Sequence, residues 1–510
     1  MFAKINSLGL FGLNAFPVDV EIELSRGTPA FEIVGLADIV VKESRERIRS
    51  ALRSCNIAFP TARVIVNLAP ADTKKSGSVH DLAIFAALLK VTGNITADLD
   101  SFAFIGEVSL NGGVRHINGV LPMVILAKNE GFKAVFVPED DAYEASVVEG
   151  ITVYGVKNVS EIIAHFDGEK LIVPQGKYEI KESEFFGESD FADVKGQPVA
   201  KKALEIAAAG GHNVLLIGAP GSGKSMLAKR MPSIMPAMTF EESIQTTNIH
   251  SISGLLKKDM PLITERPFRS PHHTISSAGL AGGGSIPKPG EISLAHNGIL
   301  FLDELAEFAR PTLEILRQPL EDQKVTISRA SGTVSYPCSF MLIGAMNPCP
   351  CGYFGHPVRK CICGKKQVAQ YLSKISGPML DRFDIHIEVA PVEFDQISSR
   401  RKEEPSSAIR ERVQAAREIQ SRRYKGTSIT CNARVTPDII HDVCRMTPQA
   451  NDMLKQVFEK MGLSARAYDK ILKVARTAAD MDNSEDIDRQ HIAVAVQYRS
   501  LDRKYWSGGE

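Results

Sequence analysis

Polar and apolar residues alternate most strictly at Val18-Asp19-Val20-Glu21-Ile22-Glu23-Leu24, and a period of two predicts a half-buried strand. Asp38 to Leu52 switches to a helical period, with Ile39, Val40, Ile48 and Leu52 along its apolar stripe. Arg63 to Leu68, Ser101 to Gly106, Lys133 to Val137 and Ile151 to Gly155 predict further strands, and Asp81 to Lys90 a further helix. Residues 1–170 therefore read as one α/β domain. Leu171 to Gly187 breaks the pattern with Pro174, Gly176 and five lysines and glutamates from Lys177 to Glu184, which predicts a linker.

Past the linker, Pro198 suits the first turn of a helix that runs to Ala209 and stops at Gly210-Gly211. Asn213 to Ile217, Gly298 to Leu302 and Phe340 to Met346 are continuous apolar runs, the mark of strands buried on both faces of a parallel sheet. Lys324 to Tyr336 predicts a hairpin with Ser331-Gly332 at its turn. From Ser406 onward the period is helical. Ile409, Val413, Ala416 and Ile419 share a stripe, Thr436-Pro437 and Thr447-Pro448 are cap-and-proline helix starts, and helices follow from Leu463 to Met481 and from Arg489 to Tyr498. The expected order is an α/β domain at 1–170, a linker at 171–187, an α/β core at 188–395 and a helical lid at 396–510.

Composition narrows this picture only a little. Lys+Arg and Asp+Glu both total 60 among 510 residues, so any surface for nucleic acid is local. The N-terminus lacks the long apolar core of a secretory signal, and no apolar run approaches the roughly eighteen residues of a membrane helix. A cytoplasmic protein without a membrane partner is expected. Four of the eight cysteines lie between Cys349 and Cys363, which in a reducing compartment favours a metal site over disulfides.

The chemistry centres on Gly218-Ala219-Pro220-Gly221-Ser222-Gly223-Lys224-Ser225, which fits the phosphate-loop pattern G-x-x-x-x-G-K-[ST] between a strand and a helix. Its glycines let backbone N–H groups turn inward around phosphate oxygens at the positive end of the helix. Lys224 is expected at the β- and γ-phosphates of ATP, and Ser225 on Mg²⁺. The run Gly298 to Leu302 delivers Asp303 to the Mg²⁺ shell and Glu304 to the attacking water. Phe340 to Met346 delivers the Asn347 amide to the same strand ends, where it can orient that water. Arg382, flanked by Asp381 and Asp384, carries the planar fork that suits a γ-phosphate in the transition state, although a salt-bridged surface arginine has the same appearance. Cys349, Cys351, Cys361 and Cys363 can close tetrahedrally on Zn²⁺. Their C-x-C spacing also leaves open partly buried thiols, a redox pair or an iron–sulfur cluster. His272 and His273 are expected to point apart on an extended chain, which argues against one shared ion.

Two resemblances follow from these residues. Gly106-Glu107-Val108-Ser109-Leu110-Asn111-Gly112-Gly113-Val114-Arg115 and Gly131 to Pro138 resemble the proteolytic domain of Lon-type proteases, whose activity needs a serine nucleophile and a lysine base. In this chain the two slots hold Val79 and Leu121, so a domain inactive as a protease is expected; a shifted register would bring in Ser76 or Ser78, but no lysine follows at the needed place. The motifs of the core place it in the AAA+ class. Arg266-Pro267-Phe268-Arg269-Ser270-Pro271-His272-His273, Pro289 to Gly298, Leu316 to Glu321 and Asn347-Pro348-Cys349-Pro350-Cys351-Gly352 resemble the magnesium-chelatase-like ATPases of the ComM/YifB family. That resemblance implies a hexameric ring on DNA that drives branch migration in natural transformation. It also implies sensor roles for Asn347 and for Arg466 on the lid, an Arg382 that acts on the neighbouring subunit's ATP, and DNA contact by Lys324 and Arg329 of the hairpin. An exposed hairpin with solvated charges, an ATP-switched protein remodeller and a magnesium-chelatase motor subunit are the competing expectations.

Overall fold

A computed structural model describes residues 1–179, 189–284, 287–329, 332–392, 395–396, 403–501 and 505–506. The end of the expected linker, Ser331 in the hairpin turn and lid residues 397–402 lie outside the described residues. Residues 1–179 with 243–263 and 332–335 form one compact unit, and the remaining described residues form a second. No helix among the described residues is long and apolar enough to cross a membrane.

In the first unit, Phe2–Phe11 (β1) and Asn14–Ser25 (β2) pair as a long hairpin, from Phe2 opposite Glu23 to Phe11 opposite Asn14. They join Ala30–Val34 (β3), Arg63–Ala69 (β4), Phe102–Phe104 (β5), Ala134–Pro138 (β6) and Thr152–Val156 (β7) in a sheet of order β3-β4-β2-β1-β5-β6-β7. The period-two segment behaves as its pattern demands: Val18, Val20 and Ile22 are fully buried. Helix Ile39–Ser54 turns only half of the predicted stripe inward. Val41, Ser44, Ile48, Ala51 and Leu52 are buried, whereas Ile39 and Val40 are 76% and 42% exposed. Counting back from Ile48 by four and seven positions reaches Ser44 and Val41, and the Ser44 hydroxyl is accommodated by donating to the buried Asp81.

The lysine slot filled by Leu121 and the polar residues before Val79 are engaged in contacts of their own. Leu121 is fully buried, and its backbone N–H donates to Glu144 Oε1 at 2.8 Å. The Ser78 hydroxyl donates to Glu107, and the buried Lys75 ammonium donates to the carbonyl of Pro70.

The second unit contains a five-stranded, wholly parallel sheet. Its members are Val214–Ile217 (β8), Phe268–Arg269 (β9), Ile299–Leu302 (β10), Met341–Met346 (β11) and Ile385–Glu388 (β12), in the order β9-β10-β11-β8-β12. Every residue of β8, β10 and β11 is buried, as continuous apolar runs require. Helices Ser406–Arg423, Pro448–Met461, Ala465–Met481 and Arg489–Gln497 follow. Ile409, Val413, Leu472 and Ala475 of these helices share one hydrophobic core with Ala203, Ala207 and Val214. Thr447 and Ser464 cap their helices by accepting from the backbone N–H groups of Ala450 and Ala467. The start expected at Thr436-Pro437 yields only a turn and the short helix Ile440–Val443, and Met446 beyond it bridges Ile487.

Candidate nucleotide site

Parallel strands aligned in one direction bring the loops after their C-terminal ends to one edge of the sheet. Ile217 lies opposite both Met346 and Glu388, and Leu302 lies opposite Gly344, so Gly218, Asp303 and Asn347 emerge together. The phosphate loop has the close fit that its glycines permit. A Cβ at Gly218 would meet the carbonyl of Val389 at 2.5 Å, while Gly221 and Gly223 take left-handed φ values of 76° and 94°. Helix Lys224–Ile234 starts directly after the loop. Ser222 Oγ is buried there and has no hydrogen-bond partner among the described residues.

Lys224 Nζ donates to Gly218 O at 2.8 Å, to Ala219 O at 2.9 Å and to Asn347 Oδ1 at 3.2 Å. Burial pushes its pKa below that of an ordinary lysine, and the charge of Asp303 opposes the shift. Ser225 Oγ donates to Asp303 Oδ2 at 2.6 Å. Lys224, Ser225, Asp303 and Asn347 thus form one connected cluster. It offers an ammonium, a hydroxyl and a carboxylate to a triphosphate with its hydrated cation. Glu304 follows with φ of 50°, a conformation costly for a side chain larger than glycine, and its backbone N–H is held by Asp303 Oδ1 at 2.9 Å. Its carboxylate is 61% exposed and lies 3.4 Å from His273 Nδ1.

Asp193, Lys195, Pro391 and Val392 line the same cleft of about 360 Å³ as Ala219, Met226 and His356, a volume in the range of small-molecule sites. The apolar Pro391-Val392 pair and Met226 can flank a base, while Lys195 and His356 add polar groups. The motifs did not single out these residues. The only signal for them was position: Asp193 and Lys195 precede the first core helix, and Pro391 follows the last strand. The His272–His273 expectation is corrected. A turn brings the two rings to a centroid distance of 4.1 Å, so they share one side of the chain.

Arg382 and Arg466 lie together at a different corner. The Arg382 guanidinium donates to Glu321, and its side chain is only 12% exposed. Arg466 Nη1 lies 3.5 Å from Asp381 Oδ2 and is 66% exposed. Lys470, one helical turn on, donates to Phe383 O at 2.9 Å, and Arg499 donates to the same oxygen at 2.8 Å. The Asp381–Asp384 segment is therefore clamped by the helical region. On the hairpin strands Lys324–Arg329 and Gly332–Pro337, Val325 and Ile327 are buried, whereas Lys324 and Arg329 are exposed. The four cysteines converge. Their ligand atoms lie within 4.8 Å of one another, with Cys349 Sγ at 3.4 Å from Cys351 Sγ and 3.7 Å from Cys361 Sγ.

Residues 190–397 match the family described as magnesium chelatase, subunit ChlI; residues 20–141 match subunit ChlI of Mg-chelatase, and residues 403–499 match its C-terminal region. The chain is 40% identical over 509 residues to competence protein ComM of Haemophilus influenzae, covering 98% of each chain. It is 38% identical over 502 residues to the protein YifB of Escherichia coli, covering 98% of this chain and 97% of that one. Similarity to Lon protease 2 of Bacillus subtilis is 26% over 180 residues, or 31% of this chain and 32% of that one. Taken with the parallel five-stranded core and its phosphate loop, these matches make the chain a member of the ComM/YifB family of magnesium-chelatase-like AAA+ proteins.

Proposed function

We propose that this chain is an ATP-hydrolysing motor that assembles as a hexameric ring on DNA and drives branch migration. The observation that carries the ATPase half is the connected Lys224–Ser225–Asp303–Asn347 cluster at the strand ends. Lys224 exchanges its loop carbonyls for β- and γ-phosphate oxygens when ATP enters. Ser225 and Asp303 would hold Mg²⁺, which would supply positive charge against the β- and γ-phosphates. Glu304 and Asn347 orient a water in line with the γ-phosphorus, and Glu304 takes a proton from that water. The water oxygen bonds to the γ-phosphorus as the bond from that phosphorus to the bridging oxygen breaks, leaving ADP and phosphate, and Glu304 gives its proton back to the released phosphate.

Arg466 meets Asp381, the chain neighbour of Arg382; in this reading Arg382 acts on the neighbouring subunit's nucleotide, and Arg466 is the lid's sensor of γ-phosphate. Arg382 must release Glu321 to reach it. The DNA half of the proposal draws support from the ComM relative, named as a competence protein, and from the two exposed cations of the hairpin. Lys324 and Arg329 make phosphate contacts in this reading. Cys349, Cys351, Cys361 and Cys363 hold Zn²⁺.

The test is ATP turnover and DNA binding with linear, forked and four-way DNA. Four-way DNA is expected to raise turnover. The double variant Lys324→Ala/Arg329→Ala is expected to weaken binding and to lower the slope of log affinity against log salt by about 2. A double variant with an unchanged slope removes the hairpin from the DNA interface. Turnover indifferent to every DNA favours an ATP-switched protein remodeller instead.

A further inference from the structure

The four-cysteine excursion is not a separate appendage: it forms part of the wall of the nucleotide cleft. It begins two residues after Asn347, and Cys349 is fully buried. Gly352 takes a left-handed φ of 82°, and a Cβ built on it would come within 2.4 Å of Pro220 Cδ in the phosphate loop. The excursion thus packs directly on the loop at a point where only glycine fits. Further along, His356 lines the cleft with Ala219 and Pro220. His356 Nδ1 accepts from the backbone N–H groups of Val358 at 3.1 Å and Arg359 at 2.9 Å, so the neutral ring carries its proton on Nε2 and can donate to a nucleotide oxygen.

The sulfur geometry fits a metal. Four thiolates around Zn²⁺ at about 2.3 Å stand about 3.8 Å from one another in a tetrahedron. Cys349, Cys351 and Cys361 have mutual Sγ separations of 3.4, 3.7 and 3.5 Å, and all four sulfurs fall within 4.8 Å. A small inward or outward adjustment separates this arrangement from ideal coordination. Both ends of the excursion are then pinned to one point, which fixes the segment between them that holds Gly352 and His356.

We propose that Cys349, Cys351, Cys361 and Cys363 bind one thiophilic divalent ion of the zinc type, and that this ion sets the affinity of the phosphate loop for nucleotide by holding Gly352 against Pro220 and His356 at the cleft. The inference rests on the ATP-site reading above. Linkage makes the effect reciprocal: bound nucleotide strengthens metal retention by the same factor by which metal strengthens nucleotide binding.

The full-length protein is assayed by elemental analysis for metal, and its affinity for a fluorescent ADP is measured by anisotropy as purified, after chelator treatment, and after return of Zn²⁺ or Co²⁺. One metal per chain is expected, with the thiolate charge-transfer and d–d bands of tetrahedral Co²⁺ after exchange. Stripping is expected to weaken nucleotide binding about tenfold, and Zn²⁺ to restore it. His356→Ala, which keeps all four thiols, is expected to retain the metal and still weaken nucleotide binding severalfold. A stripped protein that keeps its circular dichroism and its ADP affinity overturns the coupling. Absence of stoichiometric metal, or the visible absorbance of an iron–sulfur cluster, overturns the metal assignment. If stripping unfolds the chain, His356→Ala decides, and unchanged ADP affinity in the metal-loaded variant rejects the proposal. Failure of the ATP-site reading looks different: the metal-loaded protein would bind no ADP at all, or Lys224→Ala would bind it undiminished.

Discussion

Glu304→Gln is expected to bind ATP with near-normal affinity and to hydrolyse it about 10²- to 10⁴-fold more slowly, the usual contribution of a positioned base. Glu304 sits at φ of 50°, immediately after the strand that carries Asp303, and its N–H is fixed by the Asp303 carboxylate. Glutamine keeps the size and the backbone bond but cannot take a proton from water. Because Lys224, Ser225 and Asp303 are untouched, binding should survive. Single-turnover measurement of phosphate release beside an equilibrium nucleotide titration separates the two effects. Loss of binding without loss of the chemical step would remove Glu304 from its assigned role. His273 Nδ1 lies 3.4 Å from the Glu304 carboxylate.

Lys224→Ala removes the ammonium at the centre of the cluster. Truncating one member of a buried charge pair costs about 2–5 kcal/mol, which is roughly thirtyfold to several-thousandfold in Kd. Nucleotide binding is therefore expected to fall below ready detection, and turnover with it. The same variant tests the boundary claim. Lys224→Ala chains retain Arg382, whereas Arg382→Ala chains retain an intact phosphate loop. Each alone should be inactive. Mixed rings contain some sites with both groups, and partial recovery of ATP turnover is expected on mixing. No recovery from mixtures that demonstrably co-assemble would contradict action across a subunit boundary.

Local motifs made much of the candidate nucleotide site legible in the sequence. The phosphate loop and the Asp303-Glu304 pair are each contiguous, and the strands that read as unbroken apolar runs end at one edge of a parallel sheet. The phase of helix Ile39–Ser54 was misread because Ile39, Val40 and Val41 are adjacent apolar residues, and only packing chose Val41. The two histidines were misread because an extended chain was assumed where the backbone turns. The contacts of Gly352 with Pro220, of His273 with Glu304 and of Arg466 with Asp381 left no trace in spacing. Each joins residues far apart in sequence. Such contacts depend on the path of the folded chain, which no local period encodes.

The most direct test of the account is strand displacement from a labelled four-way DNA junction by the purified protein with ATP and Mg²⁺. Conversion of the junction to its paired products is expected with ATP, and its absence is expected with Glu304→Gln or without nucleotide. An ATPase-active protein that binds the junction yet leaves it unresolved at every ATP concentration would contradict the motor-on-DNA account.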